Sequence, residues 1–139
     1  VPESLEGVIR DDVGVRGQLK TAETRWRLAA CEGGFSLLEM ELGTGRMHQI
    51  RLHLAGMGHP ILGDDRHGDF ALNKALAKEF GLKRLMLYAA RLFLRLAAPV
   101  DAVALPPEHF VRFLERAGAA NLLAACSKPA ELPPGVGSP

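Results

Sequence analysis

Cysteine is scarce here: Cys31 and Cys126 are the only two in 139 residues. Their wide separation matches no metal-ligand spacing and no dense disulfide framework, so both are expected as reduced, partly buried thiols of a cytoplasmic protein. Long apolar runs are missing as well. No stretch approaches the roughly 20 residues of a membrane-spanning helix, and the start shows no basic-then-apolar signal pattern. A glycine-rich phosphate loop is absent, because Gly43-Thr44-Gly45 is too short for one or for a dinucleotide fingerprint. Ser36 and Ser127 lie in no nucleophile-elbow context. Together these absences remove the commonest hydrolase, kinase and dehydrogenase readings.

What is present is globular. Hydrophobic residues at 47% and charged residues at 24% exclude global disorder. A chain of this length supports one domain that buries about two thirds of its unfolded surface. It opens on Val1-Pro2 rather than methionine, from which a fragment or processed product is expected. Net charge is +1, but unevenly spread. Between Gly43 and Arg95, nine Lys/Arg face four acids, a net of +5, and the remainder carries −4. That asymmetry fits a polyanion-binding face on an otherwise neutral domain. It equally fits solvated lysines and arginines at helix and strand ends, and charge alone leaves both readings open.

Along the chain, Leu5 to Arg10 reads as a short strand and Asp11 to Gln18 as a turn or loop. Lys20 to Cys31 can pair with Phe35 to Leu42 across Glu32-Gly33-Gly34, since Gly-Gly allows the positive φ angles of a tight hairpin. In the second of these strands Ser36, Leu38, Met40 and Leu42 alternate with Phe35, Leu37, Glu39 and Glu41, so one side is the more apolar. Gly43-Thr44-Gly45 breaks the strand and offers Thr44 as a helix cap. From Arg46 the period changes: Met47, Ile50, Leu54 and Ala55 share one helical face, and a stop is expected at Gly56. Gly58 to Phe70 has loop composition. Ala71 to Phe80 reads as a short helix ended by Gly81. Arg84 to Leu96, apolar on both faces, reads as a long strand in the middle of a sheet. Pro107 to Ala117 fits a helix with proline in its first turn. The tail from Ala119 to Pro139 is nearly uncharged and is expected to be frayed or disordered. The fold class expected is α+β, a mainly antiparallel mixed sheet with flanking helices, the helix from Arg46 to Gly56 packed on it.

The densest polar cluster lies in Gly45 to His59, where two arginines, three histidines and a glutamine surround an apolar stripe. His48, His53, His59 and His67, with Asp64, Asp65 and Asp69 nearby, invite a metal reading. Their spacing is neither the i, i+4 pair of zinc-protease helices nor that of a Cys/His finger, so no metal is expected.

Thr44-Gly45-Arg46-Met47-His48-Gln49-Ile50-Arg51-Leu52-His53 resembles the signature Thr-Gly-Arg-x-His-Gln-Ile-Arg-x-His of the RluA/RluC-like RNA pseudouridine synthases. Gly58-His59-Pro60-Ile61-Leu62-Gly63-Asp64-Asp65-Arg66-His67-Gly68 and Arg84 to Leu92 are similar too, so the likeness runs in family order over residues 20–116. It implies isomerisation of uridine to pseudouridine in ribosomal or transfer RNA, without a cofactor. The base is flipped out of the RNA, an aspartate acts on the nucleoside, the glycosidic bond breaks and uracil re-attaches through carbon. Chemistry on a stacked base requires that extrusion. By motif position Arg51 resembles the arginine that pairs with the catalytic aspartate, a role suited to a planar, permanently charged fork. Arg46, His48, Gln49, His53 and His59, with Lys83 and Arg84, are the candidate RNA contacts. Taken singly, His48, Gln49, His53 and His59 weigh slightly more as partners of neighbouring loops and helix ends.

The departures from the family are equally informative. Its nucleophilic aspartate lies in an upstream His-Arg-Leu-Asp motif that this sequence does not contain, and none of Asp11, Asp12, Asp64, Asp65, Asp69 or Asp101 has that context. The upstream active-site tyrosine segment is missing too. Tyr88 stands where the family more often has histidine, and His67 where it often has tyrosine. Residues 1–117 are therefore expected to be the C-terminal portion of a synthase catalytic domain, inactive alone and completed by an N-terminal half. Apolar surface and sheet edges left without their partners should then be exposed. The alternative is a non-catalytic RNA-binding or complementing module. The reading frame upstream of Val1 separates the two.

Overall fold

The computed structural model describes residues 2–46 and 48–132. In chain order the elements are β1 (Glu6–Val15), β2 (Gln18–Glu32), β3 (Phe35–Leu42), α1 (Gln49–Gly56), α2 (Phe70–Phe80), β4 (Arg91–Leu94), β5 (Val100–Val103), α3 (Glu108–Arg116) and α4 (Ala120–Cys126). The fold is mixed α+β. The strands make two separate sheets, β1-β2-β3 and β4-β5, antiparallel throughout among the described residues.

Two tight turns define the larger sheet. Gly33 and Gly34 take φ angles of 60° and 83° between Glu32 and its partner Phe35, the hairpin expected there. The loop expected over Asp11 to Gln18 is instead strand as far as Val15, and the chain reverses within Arg16 and Gly17, at φ 49° and 78°. Asp11, Asp12 and Gly14 are poor strand formers, but continuous pairing with β2 overrides that weak preference. Ala22, Thr24 and Trp26 alternate as the buried positions of β2. Gly7 lies opposite Trp26, and a Cβ there would sit 2.7 Å from the indole nitrogen, so only glycine lets the ring lie across β1.

Both faces of β3 are used, not one. Leu38, Met40 and Leu42 stand opposite Leu28, Trp26 and Thr24, on the side where α1 packs. Phe35 and Leu37 join Ala30 against a helical core of Leu76, Leu82, Phe110, Phe113, Leu114, Ala119, Leu122 and Cys126. A bulge between Leu28 and Ala30 lies between these two parts of the hairpin.

Two further expectations are corrected and a third is refined. Arg84 to Leu96 is not one long strand: only Arg91–Leu94 is, paired with β5 alone. Met86 and Tyr88 are shielded by the helical core, Tyr88 edge-on to Phe110 at 5.2 Å, so helices and not neighbouring strands bury this run. The supposedly disordered tail contains α4, whose Leu122 and Cys126 belong to the core. Residues 133–139 of that tail, and Met47 of the helical stripe, lie outside the described residues. Finally, α1 does stop at Gly56, but the left-handed glycine that closes it is Gly58 (φ 76°), not Gly56 itself. Gly58 N–H donates to Ala55 O and His59 N–H to Leu54 O, closing the helix on a left-handed glycine two positions later.

The helices α2 and α3 start and stop where local chemistry dictates. Asp69 Oδ1 accepts from Leu72 N–H at 2.9 Å to open α2, and Gly81 (φ 72°) closes it. Pro107 precedes the first turn of α3.

Candidate functional site

Gln49 is the hub of the signature segment. It is 2% exposed, and its side-chain amide is fully used. Oε1 accepts from Thr44 Oγ1 at 2.7 Å and Arg46 N–H at 3.0 Å. Nε2 donates to Glu23 O at 2.7 Å and Thr24 Oγ1 at 2.9 Å. Four bonds, reaching β2 on one side and the loop before α1 on the other, fix which end of the amide is which. Thr44 is thus not the cap of α1; it accepts from Glu23 N–H and donates to Gln49, tying the loop to β2. His48 occupies the cap position in the left-handed region, φ 55°, without a side-chain cap bond. A non-glycine residue meets a steric cost there, tolerated because the loop on one side and α1 on the other are both anchored.

His53 extends the same network. It is buried, with Nδ1 2.8 Å from Thr24 Oγ1. That hydroxyl also accepts from Gln49, and the other ring nitrogen, Nε2, is buried without a hydrogen-bond partner among the described residues. Gln49 and His53 are both buried, and both hold the signature loop to β2. His48 and His67, each partly buried, meet edge-to-face with ring centroids 5.6 Å apart. His59 is partly buried, while Arg46, Lys83 and Arg84 are exposed and within reach of a large ligand.

Arg51 has its carboxylate inside this chain. Its Nε donates to Asp64 Oδ2 at 2.8 Å and its Nη2 to Asp64 Oδ1 at 2.6 Å, with a further bond from Nη2 to the exposed Asp65 at 3.2 Å. By sequence Arg51 is expected to have no carboxylate partner within this chain, and Asp64 is one. Asp64 is 1% exposed, and its Oδ1 also accepts from the backbone N–H groups of Arg66 and His67. The Arg51 guanidinium, aided by those two amides and opposed by burial, holds the Asp64 carboxyl far below the usual carboxylate range. Asp64 in turn raises the pKa of Arg51. Sequence spacing carried no warning of this pair. The available signal was an acid directly after Gly63 in a loop of free N–H groups, a context that favours a side chain folding back on its own turn.

The loop bearing Asp64 is itself fastened. Gly63 N–H donates to Asn73 Oδ1 at 2.9 Å, and Asn73 Nδ2 returns a bond to Asp64 O at 3.0 Å. A Cβ on Gly63, at φ 75°, would fall 2.1 Å from Arg84 O, so only glycine permits the loop to lie against residues 84–86. The ion pair thereby joins α1, the loop from Gly58 to Asp69 and α2 into one unit that presents Arg46, His48 and His67. No group of three or more His, Cys, Asp or Glu among the described residues could hold a metal.

Comparison with known proteins gives a consistent result. The chain is 52% identical over 58 residues to tRNA pseudouridine synthase C of Salmonella typhi, a match covering 42% of this chain and 22% of that protein. It is 40% identical over 88 residues to ribosomal large subunit pseudouridine synthase C of Vibrio cholerae, covering 63% and 28%. The chain thus spans less than a third of either relative. Among solved structures, human RNA pseudouridylate synthase domain containing 4 superposes with a TM-score of 0.66 at 25% identity, over 85% of this chain and 58% of that one. No family model matches the chain.

Proposed function

From a chain that is a homologue of the RNA pseudouridine synthases in both sequence and fold, we propose that residues 1–117, with α4 packed on them, are the C-terminal portion of such a catalytic domain. The observation that carries this reading is the ordered signature from Thr44 to His53, folded into a single anchored unit on the scaffold that the human domain shares. The substrate is a uridine in transfer or ribosomal RNA, the two RNA classes named in the relatives, and the protein acts in the cytoplasm without a cofactor.

Within this portion the roles divide by exposure. Arg46, His48 and His59, with Lys83 and Arg84, offer cationic or hydrogen-bonding groups to RNA. Gln49 and His53 position the loop that carries Arg46. Arg51 is a positioning residue whose fork is occupied by Asp64. Asp64 is no nucleophile: three donated hydrogen bonds converge on Oδ1 and one on Oδ2, and no face of the carboxylate is open to a sugar. The aspartate that acts on the nucleoside comes from a His-Arg-Leu-Asp segment contributed by an N-terminal half.

The test is complementation. RNA incubated with this chain alone should contain no new pseudouridine, whereas adding a polypeptide that carries the His-Arg-Leu-Asp half should restore its formation. Pseudouridine made by this chain alone would overturn the assignment of the nucleophile. RNA binding without product in either mixture would favour a non-catalytic module.

A further inference from the structure

A second surface, remote in sequence from the signature, combines an exposed aromatic ring with a row of cations. A cavity of about 290 Å³ beside Phe70 and one of about 370 Å³ beside α3 share Leu82 and Lys83 in their walls. They therefore adjoin at Leu82 and Lys83 and together form a groove beside α2. Phe70, the first residue of α2, is 61% exposed, an unusual state for an aromatic side chain with nearby core to join. Further along, Lys83, Arg84, Arg112 and Arg116 rim the larger cavity above Phe80, Leu82 and Phe113. Arg116 lies over the C-terminal end of α2, where a Cβ on Gly81 would come within 2.2 Å of its Nη1.

Counter-charges are few. Glu108 lines the larger cavity and pairs with Arg112, both side chains remaining mostly exposed. Asp65 lines the smaller one and is engaged by Arg51. The groove is thus net cationic, with a flat apolar platform at one end. That is the pairing of features by which proteins hold unpaired nucleic acid: bases stack on aromatic rings while the backbone follows the cations. A duplex would keep its base faces from Phe70, and an acidic peptide would have no use for the ring.

We propose that this groove binds a single-stranded stretch of RNA, one base stacked on Phe70 and the adjoining phosphates running over Lys83, Arg84 and Arg112. The inference rests on the reading that the chain acts on RNA, and it extends the contacts assigned to Lys83 and Arg84 to Phe70 and Arg112. It places the flank of the target uridine, not the uridine itself, on α2 and α3.

Binding of a short, fluorescently labelled single-stranded oligoribonucleotide to the whole chain tests it. Phe70→Ala should weaken binding about tenfold with little change in salt dependence, and Phe70→Tyr should restore it. The triple variant Lys83→Ala, Arg84→Ala, Arg112→Ala should lower the slope of log affinity against log salt by about 2, at ~0.7 for each phosphate no longer neutralised on a single strand. Parent-like affinity in Phe70→Ala would overturn the proposal. So would poly-glutamate bound as tightly as RNA, or no RNA binding by the parent chain. Pseudouridine formation in the complementation assay is read independently, so the groove can fail while the catalytic reading stands.

Discussion

The signature unit and the β4–β5 ribbon have opposite constructions. In the first, polar groups are buried and held: Gln49, Thr24, His53 and Asp64 lie at 3% exposure or less, and each has at least one hydrogen bond, although His53 Nε2 has no partner among the described residues. In the second, apolar groups are exposed and unmatched. Leu92 and Leu94 stand opposite Ala102 and Val100 on one face, and the two leucines and the valine are each at least 40% exposed. The ribbon's own ion pair, Arg91 with Asp101, is bidentate but open to solvent. The ribbon leaves an apolar face without cover among the described residues.

The sharpest way to break that contrast is Asp64→Asn. It removes the charge that compensates Arg51, whose side chain is 14% exposed, and leaves a mostly buried guanidinium without its partner. We expect a loss of about 3–5 kcal/mol, measured by urea unfolding. A loss no larger than that of a surface substitution would show that the pair is not the pin of the unit. Next in size is Gln49→Ala, which strands the Arg46 N–H and the Thr24 hydroxyl among others; about 2 kcal/mol is expected by the same measurement.

Acid should reveal the same pin without mutation. The folded Asp64 carboxyl titrates far below its unfolded value, because Arg51 and the Arg66 and His67 amides hold it ionised. A depressed carboxylate contributes its full stability above the unfolded pKa of about 3.9, and that contribution drains away as pH falls through the acid range. The parent should therefore lose stability faster than Asp64→Asn between roughly pH 5 and 2, with the two curves converging. Parallel curves would assign the acid sensitivity to other groups.

The contrast also explains what could be read in the sequence. Local chemistry was legible: the Gly33-Gly34 turn, the Gly81 stop and the start of α3 each depend on residues within a few positions. The family likeness was legible because the signature is contiguous. What stayed hidden were partners distant along the chain. Apolar residues on both faces of Leu85 to Tyr88 reported burial correctly, but periodicity cannot say whether strands or helices do the burying. The alanine-rich run before Cys126 lacked charge and caps, so nothing local announced that Leu122 completes a core begun at Leu76. Arg51 announced a carboxylate, and only the folded loop shows that it is Asp64.

The smallest effect is expected where the exposed apolar surface is greatest. Replacing both Leu92 and Leu94 by threonine places β-branched residues in a strand and removes apolar groups that the chain alone leaves uncovered. Folding stability of the isolated chain should change by no more than about 0.5 kcal/mol per site, and binding of a hydrophobic dye should fall. In the complemented mixture the same double variant should lower pseudouridine formation, because the face it alters is then covered. A large loss of stability in the isolated chain would mean that this ribbon is already packed, and the difference between the two regions would disappear.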